Sequence, residues 1–310
     1  MWVILKKLSH QQRRTLMPKA FVPLIALFFA NLIYAVNYGL AKDVMEEGYL
    51  LAFSFILFRV VGAVFLFWIV SFFTKKEKIE KKDYFMFAIC GLFGVAANQL
   101  LFFEGLHHTS TINASIIMVT NPILVLILAT VMLKEKLSLR KIFGVGIGLT
   151  GAVLLILFRG KGAAEQSSLW GDLLILLNAT CYGIYLILAK PLMSKYSPIT
   201  IIKWVFTFGL LFVFPFGFSQ VDSINWIMPN KIILEIIYVI VFTTFFAYLL
   251  NIYGLKKVSP TVASSFIYLQ PILTSLIAVC LVGETMDWQK IVFGIIIFLG
   301  VFIVSIPQKS

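Results

Sequence analysis

The stretch from Gly105 to Gly151 returns, in weakened form, between Gly254 and Gly300. At a constant offset of 149, Gly105, Ser110, Ala114, Pro122, Glu135, Lys141 and Gly151 face Gly254, Ser259, Ala263, Pro271, Glu284, Lys290 and Gly300. A gapless register of this length restricts the chain to two copies of one unit. Charge is what the copies do not share. Lys134, Lys136 and Arg140 give way to Gly283, Thr285 and Gln289. Between apolar spans, loop charge records the side of a bilayer on which the loop stays. The loss therefore predicts that the second copy is inserted upside down.

That these copies are membrane spans follows from composition. Sixty per cent of the residues are hydrophobic and 13 per cent are charged, against roughly 25% charged in a soluble domain. A helix crosses the bilayer core with about 20 apolar residues. Ten stretches qualify: 20–41, 49–73, 84–106, 111–133, 141–158, 169–190, 199–219, 232–255, 259–281 and 290–306. The pieces left over, chiefly 1–19, 74–83, 159–168 and 220–231, are too short to bury a core. A soluble catalytic or nucleic-acid-binding domain is excluded.

The net charge of +12 is orientation rather than a nucleic-acid footprint. With the N-terminus placed in the cytoplasm, cytoplasmic segments hold most of the Lys and Arg, among them Lys75, Lys76, Lys81, Lys82, Lys195, Lys256 and Lys257. The outer loops hold only Lys42, Arg159, Lys161, Lys231 and Lys290. This is the positive-inside bias. Cys90, Cys181 and Cys280 fall inside spans without metal-ligand spacing and read as small core hydrophobes. The first apolar stretch follows a basic leader, but it is too long for a signal peptide and has no A-x-A site, so it is expected to be retained.

Tyr34, Ala41 and Lys42 in the first span match Tyr182, Ala189 and Lys190 in the sixth at an offset of 148. Each half thus has five spans, and a duplicated odd unit must enter the membrane in opposite senses. The expected organisation is a cytoplasmic segment 1–19, a first repeat 20–158, an outer loop 159–168, a second repeat 169–306 and a cytoplasmic tail 307–310. The fold class is an all-α integral membrane protein of ten transmembrane helices in two inverted five-helix repeats, an architecture of secondary transporters. Ser138 and Asp287 align ahead of spans 5 and 10 and suit N-caps. Glu135 and Glu284, three residues earlier, read as helix-end or turn residues.

With its paired segments GLHHTSTINASIIMVTNPIL…KEKLS and GLKKVSPTVASSFIYLQPIL…GETMD, the chain resembles the drug/metabolite transporter superfamily, in particular bacterial EamA-type permeases. Spans 1 and 6 add NLIYAVNYGLAK and NATCYGIYLILAK, and span 2 a central Arg59. The resemblance covers about residues 20–306. It implies export or exchange of a small metabolite across the plasma membrane, with both termini cytoplasmic. It does not imply a substrate.

A polar side chain at mid-membrane is costly unless it has a partner or lines a wet cavity. Asn31, Tyr34 and Tyr38 share one face of span 1, and Asn178, Tyr182 and Tyr185 one face of span 6. Asn121 and Gln270 precede Pro122 and Pro271 in spans 4 and 9, span 3 offers Asn98 and Gln99, and span 8 offers Thr243, Thr244 and Tyr248. These groups lie at one depth, so a central cavity is expected, although any one of them could serve only to bridge helices. The candidate substrate contacts are Asn31, Tyr34, Tyr38, Arg59, Gln99, Asn121, Asn178, Tyr182, Tyr185, Tyr248 and Gln270. Pro122 and Pro271 should free carbonyls near Met118 and Ile267, giving a kink or a gating point. Arg59 is the one charge at the centre of a span. It could meet an anionic substrate group or anchor neighbouring helices, and the anchor is favoured because the family keeps the Arg while its substrates vary. Gly144, Gly146, Gly148 and Gly151 mark span 5 as tightly packed scaffold.

No carboxylate falls at mid-depth, and HExxH, GxSxG, Walker A and CxxC motifs are absent from the sequence. His107 and His108 lack further ligands, so neither a metal nor another cofactor is expected. The function expected is a non-enzymatic secondary transporter moving a small organic metabolite, amino-acid-like or drug-like, by alternating access. Its partners are that solute and the lipid bilayer, without nucleic acid; the oligomeric state is left open. An exchanger of phosphorylated solutes, such as sugar phosphates or nucleotide sugars, would want several cations at cavity depth. An intramembrane lipid-modifying enzyme would want an acid–base or metal constellation. A non-transporting scaffold would not need polar groups paired across two halves.

Overall fold

Helices make up most of the described residues in the computed structural model, which describes residues 10–108, 114, 117–134, 138–157, 168–277 and 288–306. Among the described residues the longer helices are α1 His10–Glu46, α2 Ala52–Phe72, α3 Lys81–His108, α4 Asn121–Met132, α5 Leu139–Leu157, α6 Leu169–Lys195, α7 Pro198–Phe218, α8 Asn230–Lys257, α9 260–277 and α10 Trp288–Ser305. Five of them, α2, α3, α6, α7 and α8, are long and apolar enough to cross a membrane by themselves. Shorter apolar helical stretches lie in α1, α4 and α10. Ser110, Glu135, Lys136, Cys280, Gly283, Glu284, Thr285 and Asp287 lie outside the described residues.

Helix starts follow local chemistry. Ser168, Ser197 and Ser259 cap α6, α7 and α9 by accepting from the backbone N–H three residues on. Pro198 and Pro260 occupy the first turn, where the missing donor costs nothing. Ser138 caps α5 as the sequence predicts, accepting from the Lys141 N–H at 3.4 Å. The turn between α1 and α2 passes through Gly48 at φ 74°, a left-handed conformation that favours glycine.

Packing obeys the duplication. Helix α1 packs on α8 and α9, and its counterpart α6 packs on α3 and α4. The pairs α2–α7 and α5–α10 each bring one helix against its own counterpart. Exchanging every helix for the one five places away therefore leaves this contact scheme unchanged. In lipid such association rests on close packing and interhelical hydrogen bonds rather than on the hydrophobic effect. Glycine supplies the closeness. A side chain on Gly300 of α10 would run into the Gly148 backbone of α5, and one on Gly144 into Val304. The expectation of a tightly packed span 5 agrees with this geometry, except that Gly146 faces open space.

Hydrogen bonds sort the loops into two ends. Ser168 bonds to the His108 carbonyl, Asn225 to the Tyr49 carbonyl, and the Gln220 side chain accepts from the Phe53 and Ser54 N–H groups. At the other end, Lys195 and Tyr196 meet Glu80 and Asp83, Lys256 reaches the Tyr196 carbonyl, and Arg140 the Ile306 carbonyl.

Two features of the helices were not legible in the sequence. Residues Leu92–Ala97 of α3 and Val239–Phe246 of α8 are π-helical, at equivalent places in the two repeats. Thr244 stabilises the second by donating to the Val239 carbonyl, five residues back, at 2.7 Å. A π turn rotates the residues beyond it to a new face, and such turns cluster at functional sites. The other feature is that the prolines do not bend continuous helices. A turn at Val119 and Thr120 ends one helical piece before α4 begins at Asn121, with the Thr120 hydroxyl donating to the Ile117 carbonyl at 2.6 Å. In α9 a 3-10 turn, Phe266–Tyr268, sits just ahead of Leu269 and Pro271.

Candidate functional site

A cavity of about 120 Å³ lies between the two repeats. Its wall is built from α1 (Asn31, Tyr34, Asn37), α2 (Arg59), α3 (Asn98, Gln99, Phe102, Phe103), α6 (Asn178, Tyr182), α8 (Thr243, Tyr248, Asn251) and α9 (Ala263, Ile267, Gln270), with Met118 ahead of α4. Both π turns border this wall. Asn98 and Gln99 follow the first immediately, and Thr243 and Tyr248 belong to or follow the second. Met118 and Ile267, where the prolines were expected to free backbone, both reach the wall.

Side-chain hydrogen bonds fix the polar lining. Asn31 donates to the Leu27 carbonyl at 2.8 Å, while its Oδ1 accepts from Gln270 Nε2 at 2.8 Å. Gln99 Nε2 donates to the Tyr248 hydroxyl at 3.4 Å. Asn251 Nδ2 donates to the Tyr182 hydroxyl, and Asn178 Nδ2 to the Asn98 carbonyl, both at 2.5 Å. The rings of Tyr34 and Tyr248 meet edge to face with centroids 6.3 Å apart. Arg59, only 5% exposed, donates through Nε to the Thr244 hydroxyl at 3.2 Å. Its guanidinium also stands 5.4 Å from the centre of the Phe103 ring and 5.9 Å from that of Phe55.

Eight of the eleven residues singled out from the sequence share this wall: Asn31, Tyr34, Arg59, Gln99, Asn178, Tyr182, Tyr248 and Gln270. Asn121 and Tyr185 do not. Asn121 is fully buried and donates to the Ala179 carbonyl at 2.7 Å, tying α4 to α6. Tyr185 packs against Gly94 of α3, where only a glycine leaves room for its ring. The Tyr38 side chain lies outside the described residues. Asn37, Asn251, Phe102 and Phe103 were missed. Asn37 and Asn251 each follow a tyrosine of the set, Tyr34 and Tyr248, by three residues, so helical periodicity would have found both.

Among the described residues, no Asp, Glu, His or Cys is on the wall, and no group of three or more such residues could hold a metal. Glu104 instead meets His108 at 3.2 Å near the helix end, and Lys231 lies 3.7 Å from both Glu47 and Glu235. Cys90 and Cys181 are buried free thiols. At the opposite end, Asp83 receives Lys195 Nζ at 2.8 Å and the Tyr196 hydroxyl at 2.7 Å. These bonds hold the Asp83 carboxyl below the usual carboxylate range and push the Lys195 ammonium up. Glu77 accepts from Ser197 N and Oγ alongside. This cluster joins the α2–α3 loop to the α6–α7 turn.

Known proteins agree with this architecture. A transporter from Archaeoglobus fulgidus, described only as uncharacterized, is 25% identical over 295 residues, covering 92% of this chain and 98% of its own length. The uncharacterized transporter YyaM of Bacillus subtilis is 28% identical over 269 residues, covering 82% of this chain and 85% of its own. A probable terminal-alkyne amino-acid exporter of Streptantibioticus cattleyicolor is 24% identical over 224 residues, covering 72% and 74%. One solved crystal structure superposes with a TM-score of 0.76 over 92% of this chain and 98% of its own, at 16% identity, which supports the fold alone. Residues 22–157 and 169–306 each match the EamA-like transporter family. The chain is a multi-pass membrane protein with the ten-helix, two-repeat fold, and it belongs to the EamA-like transporter family.

Proposed function

We propose that this transporter carries a small, amino-acid-like organic metabolite through the central cavity by alternating access, exporting it across the plasma membrane with both termini in the cytoplasm. The carrying observation is the convergence of amides, tyrosines and one guanidinium from both repeats on a single cavity. Small-molecule sites have this form, apolar walls with a few placed polar groups. Asn31, Tyr34, Arg59, Gln99, Asn178, Tyr182, Tyr248 and Gln270 are the proposed solute contacts. Asn121 and Tyr185 brace the helices behind them, and the helix breaks before Pro122 and Pro271 are the proposed hinges. Residues 1–19 and 307–310 are read as cytoplasmic ends, joined by the positively charged loops at the Asp83–Lys195 end.

Cavity size narrows the solute. A cavity of about 150 Å³ is known to accept benzene, and drug-sized ligands need roughly 300–1,000 Å³. At about 120 Å³, this one suits a solute of amino-acid size, whereas a nucleotide sugar would need the helices to part. Among the described residues the wall carries one cation, Arg59, which also weighs against phosphorylated solutes. The name of the Streptantibioticus relative, an amino-acid exporter, points the same way. With no carboxylate on the described wall to carry a proton, facilitated diffusion or exchange is the expected coupling. The test is flux of a broad solute panel, amino acids, sugars and sugar phosphates, in proteoliposomes of the purified chain. Flux of amino-acid-sized solutes supports the reading, and its absence for every solute contradicts it.

A further inference from the structure

A second cavity, of about 610 Å³, opens on the flank of the bundle between α1, the start of α7 and the end of α8. Ile25, Ala26 and Phe29 of α1 line it along one side, and Leu250 and Tyr253 of α8 along the other. Ile25, Phe29 and Tyr253 are 50%, 49% and 38% exposed, so the groove faces the bilayer. The same two helices turn Asn31, Tyr34, Tyr248 and Asn251 to the central cavity instead. One end of the groove is polar. There the exposed Lys75 and the neighbouring Glu77, both in the α2–α3 loop, join Ser197 in the wall. Glu77 is already engaged, its carboxylate accepting from Ser197 N at 3.0 Å and from Ser197 Oγ at 3.1 Å. Among the described residues, Glu80 pairs with Lys82 and Lys195, and Asp83 with Lys195, while Lys75 takes part in neither pairing. The segment from Lys75 to Lys82 holds five lysines against two glutamates, so this end is positive.

We propose that this groove binds one anionic phospholipid, with an acyl chain lying between α1 and α8 and the headgroup phosphate meeting Lys75. The groove is graded as such a lipid is, apolar along its length and cationic at one end. That end is the one the loop charges assign to the cytoplasm, and basic pockets between spans on that side recognise anionic headgroups. Space is sufficient. A cavity of about 150 Å³ accepts benzene, so about 610 Å³ takes a long stretch of acyl chain. The Lys75 stem can lie on apolar surface while its ammonium reaches the phosphate. A soluble phosphate would leave the apolar length unfilled, and a choline headgroup would bring a further cation to a positive end. Bound here, the lipid braces the α1–α8 seam, where Gly254 packs against Leu27 too closely for a side chain. It does so from the side opposite the solute cavity, whatever the solute is.

Native mass spectrometry of the purified full-length protein in a neutral detergent tests this by counting bound lipids. Dioleoyl phosphatidylglycerol is titrated beside dioleoyl phosphatidylcholine and beside glycerol 3-phosphate, which has the headgroup charge without the chains. One phosphatidylglycerol should bind saturably and raise the melting temperature. Phosphatidylcholine should bind about five-fold more weakly, the usual effect of one lysine near an anionic lipid, and glycerol 3-phosphate should not bind. In Lys75→Glu, phosphatidylglycerol should fall to the affinity of phosphatidylcholine or below. Lys81→Glu makes the same charge change away from the wall and should keep the preference. Ala26→Phe, which fills the groove, should weaken both lipids. Should Ala26→Phe fail to fold, the exposed lysine variants decide alone. Equal binding of the two lipids, a preference that survives Lys75→Glu, or an equal loss in Lys81→Glu would overturn the proposal. Binding of glycerol 3-phosphate as tight as that of the lipid would also overturn it, since the site would then be one for a soluble anion.

Discussion

Gln99 of α3 and Tyr248 of α8 stand 149 residues apart, the offset of the repeat, and they bond to each other at 3.4 Å. Two positions that descend from one thus meet where the halves cross. A second pair keeps the same relation without meeting. Asn121 donates to the carbonyl of Ala179, and its counterpart Gln270 donates to Asn31, the counterpart of Ala179. The first repeat uses the amide to brace α4 against α6, whereas the second turns the equivalent amide toward the cavity. Duplication built the frame, and divergence at paired positions gave the site its asymmetry.

Tyr248→Phe tests the crossing bond. The Tyr248 hydroxyl also donates to the Gly94 carbonyl at 3.5 Å, and each neutral hydrogen bond removed costs about 0.5–1.5 kcal/mol, so the melting temperature should drop modestly. Flux in proteoliposomes should fall several-fold, because Gln99 loses its orientation. An unfolded variant, or unchanged flux, would show that the bond serves packing alone.

The Asp83–Lys195–Tyr196 cluster should hold its end of the cavity shut. Because the Asp83 carboxyl titrates below its usual range, the tie is fully present above about pH 3.9 and is lost only as the pH falls through the lower folded value. Accessibility from that end should therefore be flat between neutral and mildly acidic pH. Asp83→Asn should raise it at neutral pH and abolish the dependence on acid. A thiol introduced at Ala263, in a cysteine-free background, reports this through its reaction rate with an impermeant maleimide. An unchanged rate in Asp83→Asn would assign the cluster to scaffold only.

Gly300→Val should be strongly destabilising, since the new side chain would meet the Gly148 backbone. Overpacking of this kind costs about 1–3 kcal/mol. Gly146→Ala, where a Cβ meets nothing within 4 Å, should be neutral or stabilising by up to about 1 kcal/mol. Melting temperatures in detergent compare the two.

Topology rests on charge. A thiol replacing Lys136 should be labelled only from the cytoplasm, and one replacing Thr285 only from outside. Labelling of both from one side would contradict the inverted insertion of the second copy.

Span count, duplication and most of the cavity wall were legible because each leaves a periodic trace. Apolar length marks a span, a constant offset marks a repeat, and amides or tyrosines spaced along one face, such as Asn178 and Tyr182, mark a wet surface. What escaped had no such trace. The π turns in α3 and α8 come from apolar runs with ordinary helix formers, and only the Thr244 bond to Val239 betrays one of them. Asn121 looked like Gln270 by offset, yet a side chain shorter by one methylene ends at a backbone carbonyl rather than at the wall. Tyr185 looked like Tyr182 by face, but the gap left at Gly94 draws its ring between helices.

The central claim is that solute passes through the cavity between the repeats. Counterflow uptake of a bound amino acid into proteoliposomes, compared for the unaltered chain and Tyr182→Ala, tests it most directly, with Leu276→Ala on the exposed flank of α9 as control. Uptake should fall at least ten-fold in Tyr182→Ala, at near-normal stability, and stay unchanged in Leu276→Ala. Equal uptake by all three proteins would place the path elsewhere.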